Sequence, residues 1–133
     1  MPGPPSEQPI RASEDVVVVR QLVRRRAIEL GFNLVDQTKI VTAASELARN
    51  TLQYGGGGSV IIEGVEETAR RGLRLTFQDT GPGIPDVQLA MKDGYTTGTG
   101  LGLGLSGARR LSNDFHIEST VGEGTRVVIT RWR

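Results

Sequence analysis

The sequence contains no cysteine and only one histidine, His116, among its 133 residues. Disulfide frameworks, iron–sulfur clusters and Cys/His zinc sites are therefore excluded, and any bound metal should be a hard ion that prefers oxygen ligands. His116 is expected to be structural or solvated, because it alternates with apolar neighbours on a predicted strand. No apolar run approaches the ~18–20 residues of a membrane span, and no segment of the signal-peptide kind begins the chain. We expect a cytoplasmic protein without membrane contact.

An excess of charge of one sign is also missing. The chain has 16 Lys and Arg against 15 Asp and Glu, which gives a net charge of +1 and argues against a nucleic-acid-binding surface. This length is enough for one hydrophobic core. Four of the six prolines lie in the first nine residues. We therefore expect a flexible arm over residues 1–9 and a single domain over residues 10–133.

The spacing of apolar residues predicts three helices that follow a short strand beginning near Ile10. Ser13 and Asp36 are placed to cap the first two helices with their side-chain oxygens. Proline suits the first position of a helix, so a further short helix is expected after Pro85. The predicted bounds are residues 16–30, which Gly31 ends, residues 36 to about 54, which the glycine run 55–58 stops, and residues 103–112.

Alternation of apolar and polar residues, with β-branched enrichment, predicts four further strands. They cover residues 59–65, 73–78, 115–120 and 125–132, with turns at residues 66–72 and 121–124. Helices and antiparallel strands in this mixed order favour a two-layer α/β sandwich over a doubly wound parallel sheet.

Glycine is abundant, with 18 residues, and eight of these lie between Gly81 and Gly107. Their densest cluster precedes the last helix. Its backbone N–H groups can surround a phosphate chain, because glycine lets the backbone approach closely. A flexible hinge or a tight helix-packing site is the alternative. The sequence has neither a Walker A lysine nor the preceding strand of a Rossmann fingerprint. The candidate phosphate-binding residues are Gly98, Thr99, Gly100, Leu101, Gly102, Leu103 and Gly104.

A carboxylate followed by glycines stands at the end of the predicted strand 73–78. Asp79 can accept a hydrogen bond from an exocyclic amine such as that of adenine, and Gly81 and Gly83 allow a ligand to approach the backbone. The same pattern is common in turns that bind nothing, so both interpretations stand on these residues alone.

Two polar residues of the second helix share one face, since Glu46 and Asn50 are four positions apart. The amide oxygen of Asn50 suits a hard cation such as Mg²⁺, and the carboxylate of Glu46 can accept a proton or orient a nucleophile. Solvated helix polar groups are the alternative when the pair is considered alone.

In this order the three features resemble the N, G1 and G2 boxes of the GHKL (Bergerat-fold) ATP-binding superfamily. The resemblance implies a mixed, mostly antiparallel sheet with helices on one face, and an ATP–Mg²⁺ site under a lid at about residues 86–98. Glu46 is then the catalytic base, Asn50 the Mg²⁺ ligand and Asp79 the adenine-binding residue. Gly124-Thr125 is similar to the late Gly-Thr of the superfamily, whose threonine supports the adenine site.

Within that superfamily, nearly the whole chain resembles the switch serine/threonine kinases of the stressosome, the RsbT type. The similar segments are TAASELARNTLQYGGGG, QDTGPGIPDVQLAMKDGYTTGTGLGLGLSGARRL and VGEGTRVVITRW. The resemblance implies a protein serine/threonine kinase that phosphorylates a STAS-domain scaffold or antagonist protein and, once released, activates a PP2C-type phosphatase. Leu101 and Leu103 depart from it, since a smaller residue is usual at the second of these positions.

Two other functions fit the same motifs. The first is an anti-sigma factor of the same fold, which holds a sigma factor and phosphorylates an antagonist. The second is a non-catalytic binding module, in which ATP orders the lid and exposes a surface for a partner.

Overall fold

The computed structural model describes residues 4–91 and 104–133. Over these residues the chain forms five strands and four helices. In chain order they are β1 (Ser6–Ile10), α1 (Ser13–Glu29), α2 (Leu34–Gln53), β2 (Gly58–Glu67), β3 (Arg70–Asp79), α3 (Val87–Ala90), α4 (Gly104–Arg110), β4 (Asp114–Thr120) and β5 (Gly124–Trp132). Among the helices of this described part, none is both long and apolar enough to cross a membrane.

The strands form one sheet in the order β1-β2-β3-β5-β4, and all four neighbouring pairs are antiparallel. β3 is the central strand and β5 lies next to it. The last residues of β3 and the first residues of β5 therefore bring distant parts of the sequence together at one end of the sheet. Asp79, the last residue of β3, pairs with Gly58 on one side and Thr125 on the other. The predicted two-layer sandwich with a mostly antiparallel sheet is confirmed.

Alternation along the strands divides the sheet into two faces. On one face, apolar side chains such as Val60, Leu75 and Ile129 are fully buried and form a single core with the inner sides of α1 and α2. The other face carries no helix among the described residues and is more polar, with Gln78 and Arg126 opposite each other. The predicted placement of the helices on one face therefore holds.

The first strand ends at Ile10, so the prediction that it begins there is wrong. Residues 6–9 of the predicted arm instead pair with β2, from Ser6 opposite Ile62 to Pro9 opposite Ser59. The prolines of residues 1–9 favour an arm without regular pairing, but β1 is an edge strand, where Pro9 is tolerated although it lacks an N–H. The division into an arm and a single domain remains a prediction.

Neither predicted helix cap is correct. Ser13 is already helical, and the carboxylate of Asp15 instead accepts the N–H groups of Arg11 and Ala12 at 2.8 and 3.1 Å. The second helix begins at Leu34, because Asn33 caps it by accepting the Asp36 N–H at 2.8 Å. Both Asn33 and Asp36 are residue types that commonly cap helices. The Asp36 side chain instead contacts a distant residue, described below, and Asn33 provides the cap.

Both hairpin strands extend further into their turns than the apolar pattern indicates. The pairs Glu66–Arg71 and Glu67–Arg70 continue the β2–β3 ladder, and an ion pair of 3.1 Å joins the second of them. Cross-strand pairs of opposite charge favour such an extension. In the β4–β5 hairpin, Gly124 is the first residue of β5 and lies opposite Thr120. The predicted four-residue turn is therefore a three-residue loop.

Candidate functional site

The C-terminal half of α2 carries the two polar residues that the sequence analysis singled out. Glu46 and Asn50 lie on one face of the helix, beside the buried residues Leu47 and Thr51 that fix the helix on the sheet. The side chain of Glu46 is about a third exposed, and Arg49 donates to its Oε1 at 2.9 Å. Glu46 is thus held as an oriented, accessible carboxylate rather than a buried structural one.

The glycine run after α2 brings the end of this helix to the end of β3. The carbonyl of Asn50 accepts the N–H groups of Tyr54 and Gly55 at 3.0 and 3.2 Å, which closes the last turn. A Cβ on Gly55 would overlap the carboxyl group of Asp79. Only glycine permits this close approach, so a bulkier residue at position 55 would separate Asp79 from the α2 end of the site.

Asp79 occupies the end of β3 as predicted. Its Oδ1 accepts the Gly81 N–H at 2.9 Å, and this is the one hydrogen bond to the carboxylate found among the described residues. A Cβ on Gly81 would lie 2.6 Å from the carbonyl oxygen of Gly55, so the turn packs directly on the backbone after α2. One carboxylate oxygen orients the turn, and the other remains able to accept a hydrogen bond from a ligand.

Ser119 is a residue of this region that the sequence analysis missed. Its hydroxyl accepts the N–H of Ile84 at 2.7 Å and forms a hydrogen bond of 2.8 Å with the Thr125 hydroxyl. Next to it, Gly83 has a φ of 78°, and a Cβ there would overlap the carbonyl of Thr120. Ser119 therefore ties the loop after Asp79 to the strand that carries Thr125.

Gly104 is the one member of the predicted phosphate-binding segment that the structure describes, as the first residue of α4. A Cβ on it would lie 3.5 Å from Nδ2 of Asn50, so the segment enters α4 beside that side chain. Gly98, Thr99, Gly100, Leu101, Gly102 and Leu103 lie outside the described residues, as do residues 92–98 of the predicted lid. At the start of that lid, Asp86 caps α3 through the Leu89 N–H.

A groove of about 470 Å³ opens at the same end of the sheet, with Asp79 and Thr125 in its wall. Most of its other lining residues, including Ser59 and Arg126, belong to the helix-free face of the sheet. Neither Asn50 nor Gly104 lines it. The groove therefore borders the candidate site on the opposite side of the sheet.

His116 lies apart from these residues on the helix-free face of β4. Its Nε2 is 2.9 Å from Oε1 of Glu118, and both side chains are exposed. The hydrogen bond and the charge of His116 lower the pKa of Glu118. The expectation that His116 is structural or solvated agrees with this exposed position.

The described residues present polar groups at two places, the end of β3 and the C-terminal half of α2. Asp79 offers a hydrogen-bond acceptor in a wall from which side chains are absent at Gly55 and Gly81, and the Thr125 hydroxyl lies on the neighbouring strand. Along α2, the Asn50 amide and the Glu46 carboxylate supply oxygen atoms suited to a hard cation and to a proton. The arrangement can therefore recognise a base at one end and support chemistry on an anionic group at the other.

Comparisons with known proteins identify the family of the chain and several relatives. The family described as histidine kinase-, DNA gyrase B- and HSP90-like ATPases matches residues 35–132. Serine/threonine-protein kinase RsbT of Bacillus subtilis (strain 168) is 48% identical over 118 residues, which cover 89% of each chain. The anti-sigma F factor of Geobacillus kaustophilus (strain HTA426) is 30% identical over 131 residues, covering 90% of this chain and 85% of that protein.

A solved structure shares the fold. The crystal structure of the RsbU and RsbW domains of a Mycobacterium tuberculosis protein superposes with a TM-score of 0.68 at 21% sequence identity. The match covers 98% of this chain and 33% of that longer chain. The likeness therefore concerns the architecture of one domain within a larger protein.

Proposed function

The chain belongs to the histidine kinase-, DNA gyrase B- and HSP90-like ATPase family, and on that premise we propose that it is an ATP-dependent serine/threonine protein kinase. The relative named serine/threonine-protein kinase RsbT supports this choice within the family, since 48% identity extends over most of both chains. The observation that carries the proposal is the presence of two carboxylates, one placed to recognise the base and a second that is accessible on α2. One oxygen of the Asp79 carboxylate has no hydrogen-bond partner among the described residues, and Glu46 lies on α2 beside Asn50.

Each described residue has a distinct role in this proposal. Asp79 accepts the exocyclic amine of adenine, and Thr125, held by Ser119, supports the same end of the site. Gly81 and Gly83 keep the backbone close to the base. Glu46 takes the proton of the attacking hydroxyl, and its ion pair with Arg49 fixes its direction before the partner binds.

Asn50 is the residue that would hold magnesium. When bound, Mg²⁺ neutralises charge on the phosphates of ATP. The Asn50 amide lies next to Gly104, where the glycine-rich segment from Gly98 meets α4, so a cation and a phosphate group would share this place. Asn50→Ala should therefore weaken the magnesium-dependent part of ATP binding while leaving adenosine binding unchanged.

The protein substrate that we propose is a STAS-domain protein of a stress-response partner-switching module, and a PP2C-type phosphatase is the proposed second partner. Similarity to the relatives named RsbT and anti-sigma F factor supports a role in partner switching. A cytoplasmic location goes with this assignment.

The proposal is tested by incubating the purified chain with Mg²⁺, labelled ATP and a candidate STAS-domain protein from the same genome. We expect label on a serine or threonine of that protein, located by mass spectrometry, and much less label at the same low ATP concentration when Asp79→Asn replaces the wild-type kinase. The absence of transfer to every STAS-domain protein of the genome, with ATP bound, would instead favour a nucleotide-gated binding module.

The second candidate function is that of an anti-sigma factor, which the similarity to anti-sigma F factors favours. Only the anti-sigma factor function requires the chain to form a stable complex with a sigma factor. Co-purification of a sigma factor that depends on nucleotide would move the assignment to this candidate, whereas a complex with a PP2C-type phosphatase supports the principal one.

A further inference from the structure

Arg131 of β5 joins three elements through one guanidinium group. It lies opposite Leu73 on the helix-covered face of the sheet, and its side chain is only 13% exposed. One terminal nitrogen donates to Oδ1 of Asp36 at 2.6 Å, in the first turn of α2. The other donates at 3.0 Å to the carbonyl oxygen of Leu111, just after α4. Arg131 thus ties the end of α4 to the beginning of α2.

Stability alone is a poor explanation for this arrangement. The ion pair is partly buried, with the Asp36 side chain 25% exposed. Withdrawing its charges from water costs free energy, and ion pairs that keep contact with solvent contribute little stability. Nε of Arg131 is buried and has no hydrogen-bond partner among the described residues, which adds to that cost. What the planar guanidinium supplies is direction, because it fixes an acceptor on α2 relative to an acceptor just after α4.

α4 needs such a fixed point because it is short and packs through small side chains. Its buried residues are Ser106, Gly107 and Ala108, which give little of the interlocking by which large side chains fix the position of a helix. Leu105 and Leu111 pack against the core only in part. The small side chains of α4 leave the helix able to slide and rotate against its neighbours. The hydrogen bond from Arg131 to the Leu111 carbonyl restrains these movements.

The position of α4 matters because its other end forms part of the nucleotide site. Gly104 begins the helix and lies against the Asn50 side chain. Asp79 and Thr125 instead belong to the central strands and do not depend on α4. A shift of α4 would therefore disturb the region proposed for phosphate and magnesium and leave the adenine end unchanged.

We propose that Arg131, through Asp36 and Leu111, is a positioning residue that sets the spacing between Gly104 and Asn50 and thereby the affinity for the phosphates of ATP. The inference rests on the proposed ATP site but not on phosphate transfer. On this inference Arg131 alters the affinity for ATP but not that for adenosine, because it acts through α4 and does not touch the nucleotide.

The test compares calorimetric affinities for Mg²⁺–ATP and for adenosine. In Arg131→Gln the affinity for ATP should fall about 3- to 30-fold, the usual scale for a residue that acts on a site without contacting the ligand, and the affinity for adenosine should stay within about twofold. Asp36→Asn should act in the same direction. Arg74→Gln is the matched control, since Arg74 is a strand arginine on the helix-free face that contacts Thr130, and both affinities should be unchanged.

A double variant separates positioning from stability. In Arg131→Met with Asp36→Leu, apolar packing replaces the ion pair, so unfolding stability should return towards the wild-type value. The ATP-specific loss should remain. Equal losses for adenosine and ATP, no loss for either, or recovery of ATP affinity together with stability would each overturn the inference. If the wild-type protein binds ATP but transfers no phosphate, the proposed kinase function is contradicted and this inference still stands.

Discussion

Replacement of Asp79 by asparagine separates the two contacts that we assign to its carboxylate. Oδ1 accepts the Gly81 N–H at 2.9 Å, and an asparagine oxygen in the same place can accept that bond. The second oxygen becomes an NH₂ group, which presents a donor to the exocyclic amine of adenine, itself a donor. Asp79→Asn is therefore expected to keep the turn after β3 and to lose the contact with the base.

The size of the effect follows from the charge of the acceptor. A hydrogen bond to a charged group contributes about 1.5–3 kcal/mol, which converts to a roughly 10- to 150-fold loss of ATP affinity. Asp79→Ala removes the Gly81 contact as well. It should show a loss of affinity of similar size together with a decrease of about 1.5–3 kcal/mol in the free energy of unfolding, because the Gly81 N–H also bonds to the charged carboxylate.

Calorimetric titration with Mg²⁺–ATP and Mg²⁺–GTP, combined with urea unfolding of the same preparations, measures both quantities. The wild-type protein should prefer ATP, and the asparagine variant should lose most of that preference at unchanged stability. If Asp79→Asn binds ATP as tightly as the wild type, and the wild type binds GTP equally well, Asp79 is not the adenine-binding residue.

Three further changes test the local structure. Gly83→Ala should lower the free energy of unfolding by at least about 1 kcal/mol in urea titrations, because Gly83 has a φ of 78° and no room for a Cβ; an unchanged value would contradict that geometry. Asn33→Ala removes the α2 cap and should cost about 1 kcal/mol of unfolding free energy at unchanged ATP affinity, whereas loss of affinity without loss of stability would refute a purely structural role. His116 lowers the pKa of Glu118, so the pair favours the folded state above the usual carboxyl range and loses this effect as the pH falls. His116→Gln should raise the pKa of Glu118 in an NMR titration. An unchanged pKa would show that His116 does not cause the lowering.

The sequence predicts those elements whose signal is local. Alternation in 73–78 and the 3.6-residue period of α2 reflect the burial of one side of each element, so both are visible without tertiary information. The ends of the elements depend on partners elsewhere. β1 begins earlier than its sequence indicates, because Pro9 obscures pairing that only β2 provides. The role of Asp36 is not visible locally either, because its partner Arg131 is 95 residues away.

The candidate site divides in the same way. Glu46 and Asn50 could be paired from helix geometry, and Asp79 from its place at a strand end. Ser119 could not be found, because its partner depends on the register of the β4–β5 hairpin. The predicted four-residue turn puts Thr120 opposite Thr125, whereas the three-residue loop puts Ser119 there. A shift of one residue moves a side chain to the other face of the sheet.

Phosphate transfer by Glu46→Gln is the measurement that tests the central claim most directly. Glutamine keeps the shape of the side chain and an oxygen that accepts from Arg49, but it cannot take the proton of the attacking hydroxyl. We predict that Mg²⁺–ATP and the STAS-domain partner bind within about twofold of the wild-type affinity, while transfer of the labelled terminal phosphate falls by roughly 10²-fold or more. Transfer at the wild-type rate, with both ligands bound normally, would contradict the assignment of Glu46 as the catalytic base.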